Sequence, residues 1–174
     1  MNDLYPWYRD VEGDDIEQGD IFESCPVYLP TYGALNVTTA EFDWVERDLI
    51  VLSQTCDMVK GREKLSEVLL CSVWYRFELK RGHLSTPKGM EDARRGNLPA
   101  FHVLAACDLP HMRRDVRVVE FRRVYALPMV FLRKKARDDG RHLRLLPPYR
   151  EHLSQAFARF FMRVGLPVDV PPFK

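Results

Sequence analysis

Short apolar runs separated by polar turns fill most of the chain, and this pattern predicts β-strands rather than long helices. The run Leu49–Leu52 is continuously apolar and follows the charged residues Glu46–Asp48, which is typical of a strand buried on both faces. Pro26 and Pro30 bound another short strand, because proline is tolerated at strand ends and edges. Strands are predicted at 21–29, 35–44, 49–52, 67–73, 101–104, 116–121 and 143–145.

The clearest helix is predicted near the C-terminal end, over residues 147–165. Leu153 begins an apolar stripe that recurs three, four, seven, eight and eleven positions later, which is the spacing of one helix face. Gly165 stands where a C-terminal cap belongs, and Pro167 prevents the helix from continuing. A shorter helical stretch of one or two turns is predicted at 127–135.

The 174 residues are expected to form one domain of the α+β class. Its three predicted parts are an acidic entry arm, a small β-barrel and an amphipathic helix that closes the barrel, over 1–18, 19–146 and 147–165. The barrel carries a basic insertion at 75–100, where glycines and a proline interrupt the strand pattern and favour short helices.

Charge is distributed very unevenly along the chain, although the net charge is only +1. Residues 1–59 hold 13 acidic and 2 basic residues, whereas residues 60–174 hold 12 acidic and 24 basic residues. The two parts either neutralise each other across the fold or leave a basic surface for nucleic acid or another polyanion. The sequence leaves both explanations open.

Targeting and cofactor signals are missing from the pattern. No apolar run approaches the roughly 18 residues of a membrane span, and Met1–Tyr5 does not begin like a signal peptide. We therefore expect a cytoplasmic protein with no membrane partner. Nucleotide-binding loops and common hydrolase motifs are not present either. The four cysteines, Cys25, Cys56, Cys71 and Cys107, form no CxxC pair, so we expect free thiols and neither metal nor cofactor.

The order of the predicted strands resembles the PemK/MazF family of toxins. Gln18–Phe22 is similar to the family's opening Gly-Asp strand, and Glu46–Ser53 resembles its second signature, an arginine that enters an apolar strand. Glu67–Val73 occupies the place of the third signature, which ends at a hydroxyl residue. Arg117–Val124 is similar to the later strand and turn, and Val164–Leu166 to the end of the terminal helix.

This resemblance implies an SH3-like barrel that binds and cleaves single-stranded RNA without metal, in a bacterial toxin or phage-defence setting. The family uses an arginine and a hydroxyl near the barrel mouth, and the matching positions are Arg47 and Ser72. An arginine can hold a phosphate with two hydrogen bonds and stabilise charge that develops on it. The segment Glu41–Glu46 departs from the family because its acidic side chains would repel RNA. The family often dimerises, which implies a homodimer.

Gln54, Thr55, Cys56 and Asp57 form a polar cluster directly after the strand at 49–52, a position that often carries function on a rigid scaffold. We expect this cluster to shape the pocket together with His102. Cys56 could instead act as a nucleophile activated by His102, or simply pack while Asp57 caps a turn. The cluster and the segments 148–155 and 165–167 also resemble a group of small bacterial proteins with no assigned function.

A polar ridge is predicted on the C-terminal helix, opposite its apolar stripe. His152, Arg159 and Arg163 recur there at helical spacing. They form either a solvated face or a surface that contacts nucleic acid or a protein partner, for which arginine is well suited. Two alternatives to an RNA-binding protein stay open, a non-enzymatic accessory or regulatory module and a cysteine-dependent enzyme centred on Cys56.

Overall fold

In the described part of the chain, seven antiparallel strands form one sheet, and three α-helices pack around it. The structure is a computed structural model, and it describes residues 5–30 and 42–162. The strands are β1 (Tyr8–Glu12), β2 (Asp20–Pro30), β3 (Phe42–Val51), β4 (Glu67–Tyr75), β5 (Phe101–Leu104), β6 (Arg117–Pro128) and β7 (Arg141–Leu145). The helices are α1 (Pro87–Arg94), α2 (Met129–Asp139) and α3 (Tyr149–Phe161). The predicted α+β class is confirmed.

The sheet is curled but not closed. Its strand order is β1-β7-β2-β3-β4-β6-β5, and within the described residues no backbone ladder joins the outer strands β1 and β5. The predicted closed barrel is therefore not found. Instead, the Tyr8 hydroxyl on β1 donates a hydrogen bond of 2.8 Å to the carbonyl of Ala105, directly after β5. This side-chain hydrogen bond links the two edges of the sheet where closure would need a backbone ladder.

Both faces of the sheet are buried, because successive residues of a central strand pack into different clusters. Ile50 belongs to the cluster beneath α3, whereas Leu49 and Val51 belong to the cluster beneath α2. The helices contribute Leu153, Ala156, Phe157 and Phe160 to the first cluster, and Met129, Leu132 and Ala136 to the second. The prediction that the run Leu49–Leu52 is buried on both faces is confirmed.

A third, smaller cluster holds α1 against the sheet. Its buried members are Leu84, Ala93 and Val118. The helix begins at Pro87, after Thr86, whose hydroxyl accepts a hydrogen bond of 3.0 Å from the Gly89 amide. Glycine is required at position 89, because a Cβ atom there would lie 1.9 Å from the His83 carbonyl oxygen. The basic insertion is thereby packed on the sheet rather than left as a free loop.

Several predicted boundaries are wrong, and β1 was not predicted, because Tyr8–Glu12 stands in the segment expected to be an acidic arm. The strand expected at 116–121 runs to Pro128, and the helix expected at 147–165 begins at Tyr149. The strand expected at 49–52 begins at Phe42, because the charged residues Glu46 and Arg47 continue β3 by pairing with β2. The helix expected at 127–135 instead runs from Met129 to Asp139 and ends before Gly140, which has a φ of 74°. The predicted strand residues 35–41 and helix residues 163–165 lie outside the described residues. No described helix has the length and apolarity that a membrane crossing needs.

Ion pairs join the acidic N-terminal part of the chain to the basic C-terminal part. Arg144 on β7 is buried and donates hydrogen bonds of 2.5 and 2.9 Å to the buried carboxylate of Asp20, and it also pairs with Glu17. At the surface, Arg137 contacts Asp14 at 2.5 Å. Further pairs are Arg141–Asp10, Arg114–Glu23 and Lys60–Asp14. These contacts favour the explanation that the two parts neutralise each other across the fold.

Loss of the buried carboxylate should destabilise the protein, because Arg144 would keep a buried charge with fewer partners. We expect Asp20→Asn to lower the free energy of unfolding by about 3 kcal/mol, measured by urea denaturation. Asp14→Asn is the matched control, since surface ion pairs contribute little. Equal losses in the two variants would contradict the special role of the buried pair.

Candidate functional site

A basic cleft lies between α1, β5 and α3 and has a volume of about 420 Å³. Its lining includes the guanidinium groups of Arg94, Arg95 and Arg159 and the imidazoles of His102 and His152. Among the described residues that line this α1–α3 cleft there is no carboxylate. The fold thus brings together three residues that the sequence singled out in distant segments, namely His102, His152 and Arg159.

Helical periodicity divides α3 between the core and the cleft. His152, Gln155 and Arg159 face the cleft, whereas Leu153 and Phe157 pack in the cluster beneath the helix. The opposite wall comes from the last turn of α1 and the residues that follow it. Arg163, the third residue of the predicted ridge, lies outside the described residues.

The arginines of the cleft carry more positive charge than their carboxylate partners compensate. Glu91 accepts two hydrogen bonds of 2.7 Å from Arg94 and one of 2.6 Å from Arg95. These hydrogen bonds lower the pKa of Glu91 to about 2, so this carboxylate stays ionised. Arg159 contacts the side chain of Gln155 at 3.4 Å, and no carboxylate of the described residues lies within ion-pair distance of it. Arg94 and Arg95 therefore share the carboxylate of Glu91, and Arg159 has no carboxylate partner among the described residues.

The two imidazoles of the cleft differ in their surroundings. Burial, together with the nearby His152, lowers the pKa of His102 from 6.5 to about 4. The ring of His102 lies 6.3 Å from that of Phe121, whereas His152 is exposed on α3. No hydrogen bond links either imidazole to another described residue. His102 is therefore neutral at pH 7 and has a ring nitrogen available to accept a proton.

Arg47 and Ser72 do not form an accessible pair. Arg47 donates a hydrogen bond of 3.2 Å to the Glu46 carbonyl, and its guanidinium lies 5.2 Å from the centre of the Trp74 ring. It lines a cavity of about 330 Å³ that also contains the carboxylates of Glu46, Asp48 and Glu78. Ser72 is fully buried, and its hydroxyl has no hydrogen-bond partner among the described residues. A phosphate at Arg47 would meet three acids and could not reach the Ser72 hydroxyl.

The cluster Gln54–Asp57 forms a tightly bonded turn. The Thr55 hydroxyl accepts a hydrogen bond of 3.1 Å from the backbone N–H of Gln18, and this contact connects the turn to the acidic arm. Asp57 accepts one of 2.9 Å from Lys64, and this contact lowers the pKa of Asp57. Gln54 reaches α3 through a contact of 3.4 Å with the Ser154 hydroxyl.

This turn and His102 line different cavities. Thr55 lines a cavity of about 350 Å³ together with Asp15 and Glu17, and His102 lines the α1–α3 cleft. The Cys56 thiol is exposed and lies 3.7 Å from an Asp57 carboxylate oxygen. A neighbouring carboxylate does not favour a thiolate, so the surroundings of Cys56 are unlike those of an activated nucleophile.

Arg94 and Arg95 were not among the predicted site residues. Two adjacent arginines at the end of a helix in a basic insertion were a usable signal, but nothing local shows that they face α3. No cluster of three or more potential metal ligands occurs in the described ranges. In comparisons with known proteins, no family model matches the chain and no curated sequence is significantly similar to it. The PemK/MazF resemblance therefore stays a prediction.

Titration should identify His102 as the half-buried imidazole of the cleft. We expect NMR to give it a pKa of about 4, rising when His152→Gln removes the neighbouring charge. Folding lowers this pKa below 6.5, so its contribution to stability is complete above pH 6.5 and is lost as the pH falls towards 4. This loss amounts to about 3 kcal/mol.

The surface residue His111 supplies the control for this titration. His111→Gln should leave the His102 titration unchanged, because residue 111 is exposed and does not line the cleft. A His102 pKa near 6.5 in the folded protein would contradict the half-buried, neutral imidazole.

Proposed function

We propose that this protein binds single-stranded RNA in the α1–α3 cleft. The observation that carries the proposal is the chemistry of the lining, which combines three guanidinium groups with two imidazoles and contains no carboxylate among the described residues. The cavities around Arg47, Thr55 and Ser24 all contain acidic side chains, which disfavour a phosphate. Arginine forks suit phosphate groups, because they can donate two hydrogen bonds at once.

Basic and aromatic residues of the insertion next to the cleft would contact an extended strand of RNA. Lys88 lies six residues before Arg94 on α1, which is about 9 Å along the helix axis. Four exposed basic residues of the insertion have no carboxylate within ion-pair distance among the described residues, namely Arg76, Lys80, Arg81 and Lys88. Phe77 is 63% exposed and stacks on Tyr75 with ring centres 5.1 Å apart. Exposed aromatic rings beside basic residues are typical of single-strand binding.

The same cleft contains groups that could cleave RNA without metal. A neutral His102 would remove the proton of a ribose 2′-hydroxyl, which then attacks the adjacent phosphorus. His152, as the general acid, would donate a proton to the departing 5′-oxygen, leaving a 2′,3′-cyclic phosphate. The arginines would stabilise the charge on the phosphate oxygens. This assignment replaces Arg47 and Ser72 as the groups nearest the reaction.

The relation to PemK/MazF toxins is a further part of this proposal. Four of the segments that resemble the family fall on β2, β3, β4 and β6, which are adjacent in the sheet. This adjacency supports a common strand arrangement, while the SH3-like barrel, the homodimer and the toxin or phage-defence setting stay hypotheses.

A second candidate function is a non-enzymatic interaction module that binds a protein partner. An apolar groove of about 830 Å³ runs between α3 and the strands β4 and β6 and favours this alternative. Its lining includes Leu69, Val124 and Phe161, and Phe161 is 56% exposed. Exposed apolar surface of this kind often marks contact with a protein. This alternative predicts no turnover of RNA.

Fluorescence anisotropy with labelled single-stranded RNA tests the binding proposal. We expect Arg159→Ala and Arg94→Ala each to weaken binding about tenfold, because each removes a phosphate contact. The slope of log affinity against log salt should fall by about 0.7 for each lost contact. Arg113→Ala is the control, since this exposed arginine lies outside the cleft. Unchanged affinity in both cleft variants would refute this binding site.

Cleavage is tested separately, by incubating RNA of varied sequence with the protein and EDTA. We expect products that end in a 2′,3′-cyclic phosphate, and 2′-O-methyl RNA should bind without being cut. His102→Ala and His152→Ala should each slow cleavage about 100-fold or more, whereas His111→Ala should not. Binding without cleavage of any sequence would leave an RNA-binding protein and reject the nuclease.

A further inference from the structure

The α1–α3 cleft has the charge and size of a site for the end of a nucleic-acid chain. We propose that it holds the terminal phosphate of a single-stranded RNA, a phosphomonoester, in preference to an internal phosphodiester. This inference rests on the binding part of the proposed function and is an alternative to cleavage in the cleft, because a terminal phosphate seated on the arginines leaves no internal phosphodiester beside His102 and His152.

The net positive charge of the cleft favours a terminal phosphate. Arg94, Arg95 and Arg159 contribute three positive charges, and Glu91 contributes the one carboxylate that contacts them, which leaves an excess of two. A phosphomonoester carries about −1.5 to −2 at pH 7, whereas an internal phosphodiester carries one negative charge. The excess charge of the cleft therefore matches a terminal phosphate better than an internal one.

Several N–H groups of the cleft arginines remain available to donate hydrogen bonds to a ligand. Glu91 occupies Nε and Nη2 of Arg94 but only Nε of Arg95. Nη1 of Arg94 and both Nη atoms of Arg95 are left to contact a ligand. Because Glu91 fixes both guanidinium groups, they are oriented before a ligand binds. Arg159 approaches from α3, so donors come from two walls, which suits the three terminal oxygens of a monoester.

The size of the cleft and its apolar walls favour a single terminal nucleotide. A volume of about 420 Å³ falls within the range of about 300–1,000 Å³ typical of small-molecule sites. This volume suits one nucleotide and not a long stretch of chain. Phe101, Val103 and Ala156 supply an apolar surface beside the charged groups, against which a sugar or base can pack. The rest of the RNA would follow the exposed basic residues of the insertion.

Anisotropy with 2′-O-methyl RNA of one sequence and three kinds of ends tests this inference. The three probes carry a 5′-phosphate, a 3′-phosphate or hydroxyl groups at both ends, so that they also identify which end enters the cleft. We expect one phosphorylated probe to bind about tenfold more tightly than the hydroxyl probe. Arg159→Ala and Arg95→Ala should reduce this ratio towards one, whereas Arg113→Ala should preserve it.

The outcomes separate this inference from the proposed function. Equal affinity for all three probes would overturn terminal-phosphate recognition and leave RNA binding intact. Failure of every probe to bind would overturn both. Circular dichroism verifies the fold of each variant, and displacement of bound RNA by the adenosine monophosphate whose phosphate matches the preferred end, 5′ or 3′, gives a second readout in the unaltered protein. No displacement by this nucleotide at concentrations far above that of the probe would also overturn the inference.

Discussion

The buried ion pair between Asp20 and Arg144 determines how the acidic arm fits onto the sheet. Taking two charges out of water is costly, and it is tolerated here because further groups complete the contacts of Arg144. Glu17 pairs with it, and the Asp15 carbonyl accepts a hydrogen bond of 2.7 Å. The Gly19 carbonyl accepts another from Leu145 on β7, so backbone and side chains fix the same crossing. Since β7 leads directly into α3, this crossing also positions one wall of the cleft.

The same contacts explain where positive charge remains. Arginines of β7, α2 and the segment before β6 are paired with acids of the N-terminal part. These ion pairs neutralise much of the difference in charge between residues 1–59 and residues 60–174. Arg159 and four exposed basic residues of the insertion have no carboxylate within ion-pair distance among the described residues. The four are Arg76, Lys80, Arg81 and Lys88. A basic surface therefore survives in one region, although the chain as a whole is nearly neutral.

Local patterns predicted most of the strands and the terminal helix, because burial on one or both faces leaves a direct trace in the spacing of apolar residues. They missed β1, because Tyr8 is the one buried residue among the five of this strand. Closure of a barrel was not predictable, since it depends on whether β1 and β5 meet. The buried position of Ser72 was legible in the apolar run around it, but the resemblance to a family directed attention to its hydroxyl. The cleft could not be foreseen, because Arg94 and Arg159 lie far apart in the chain and converge only through packing.

The two walls of the cleft are anchored in separate hydrophobic clusters. α1 is held by Leu84 and Val118, and α3 by the cluster that includes Val119. Val118 and Val119 are neighbours on β6 whose side chains point to opposite faces, so one strand carries both anchors. A ligand bound by arginines from both walls would link α1 and α3 non-covalently, although the two helices pack in separate clusters. Occupancy and the local rigidity of the insertion are thereby thermodynamically linked, and each strengthens the other.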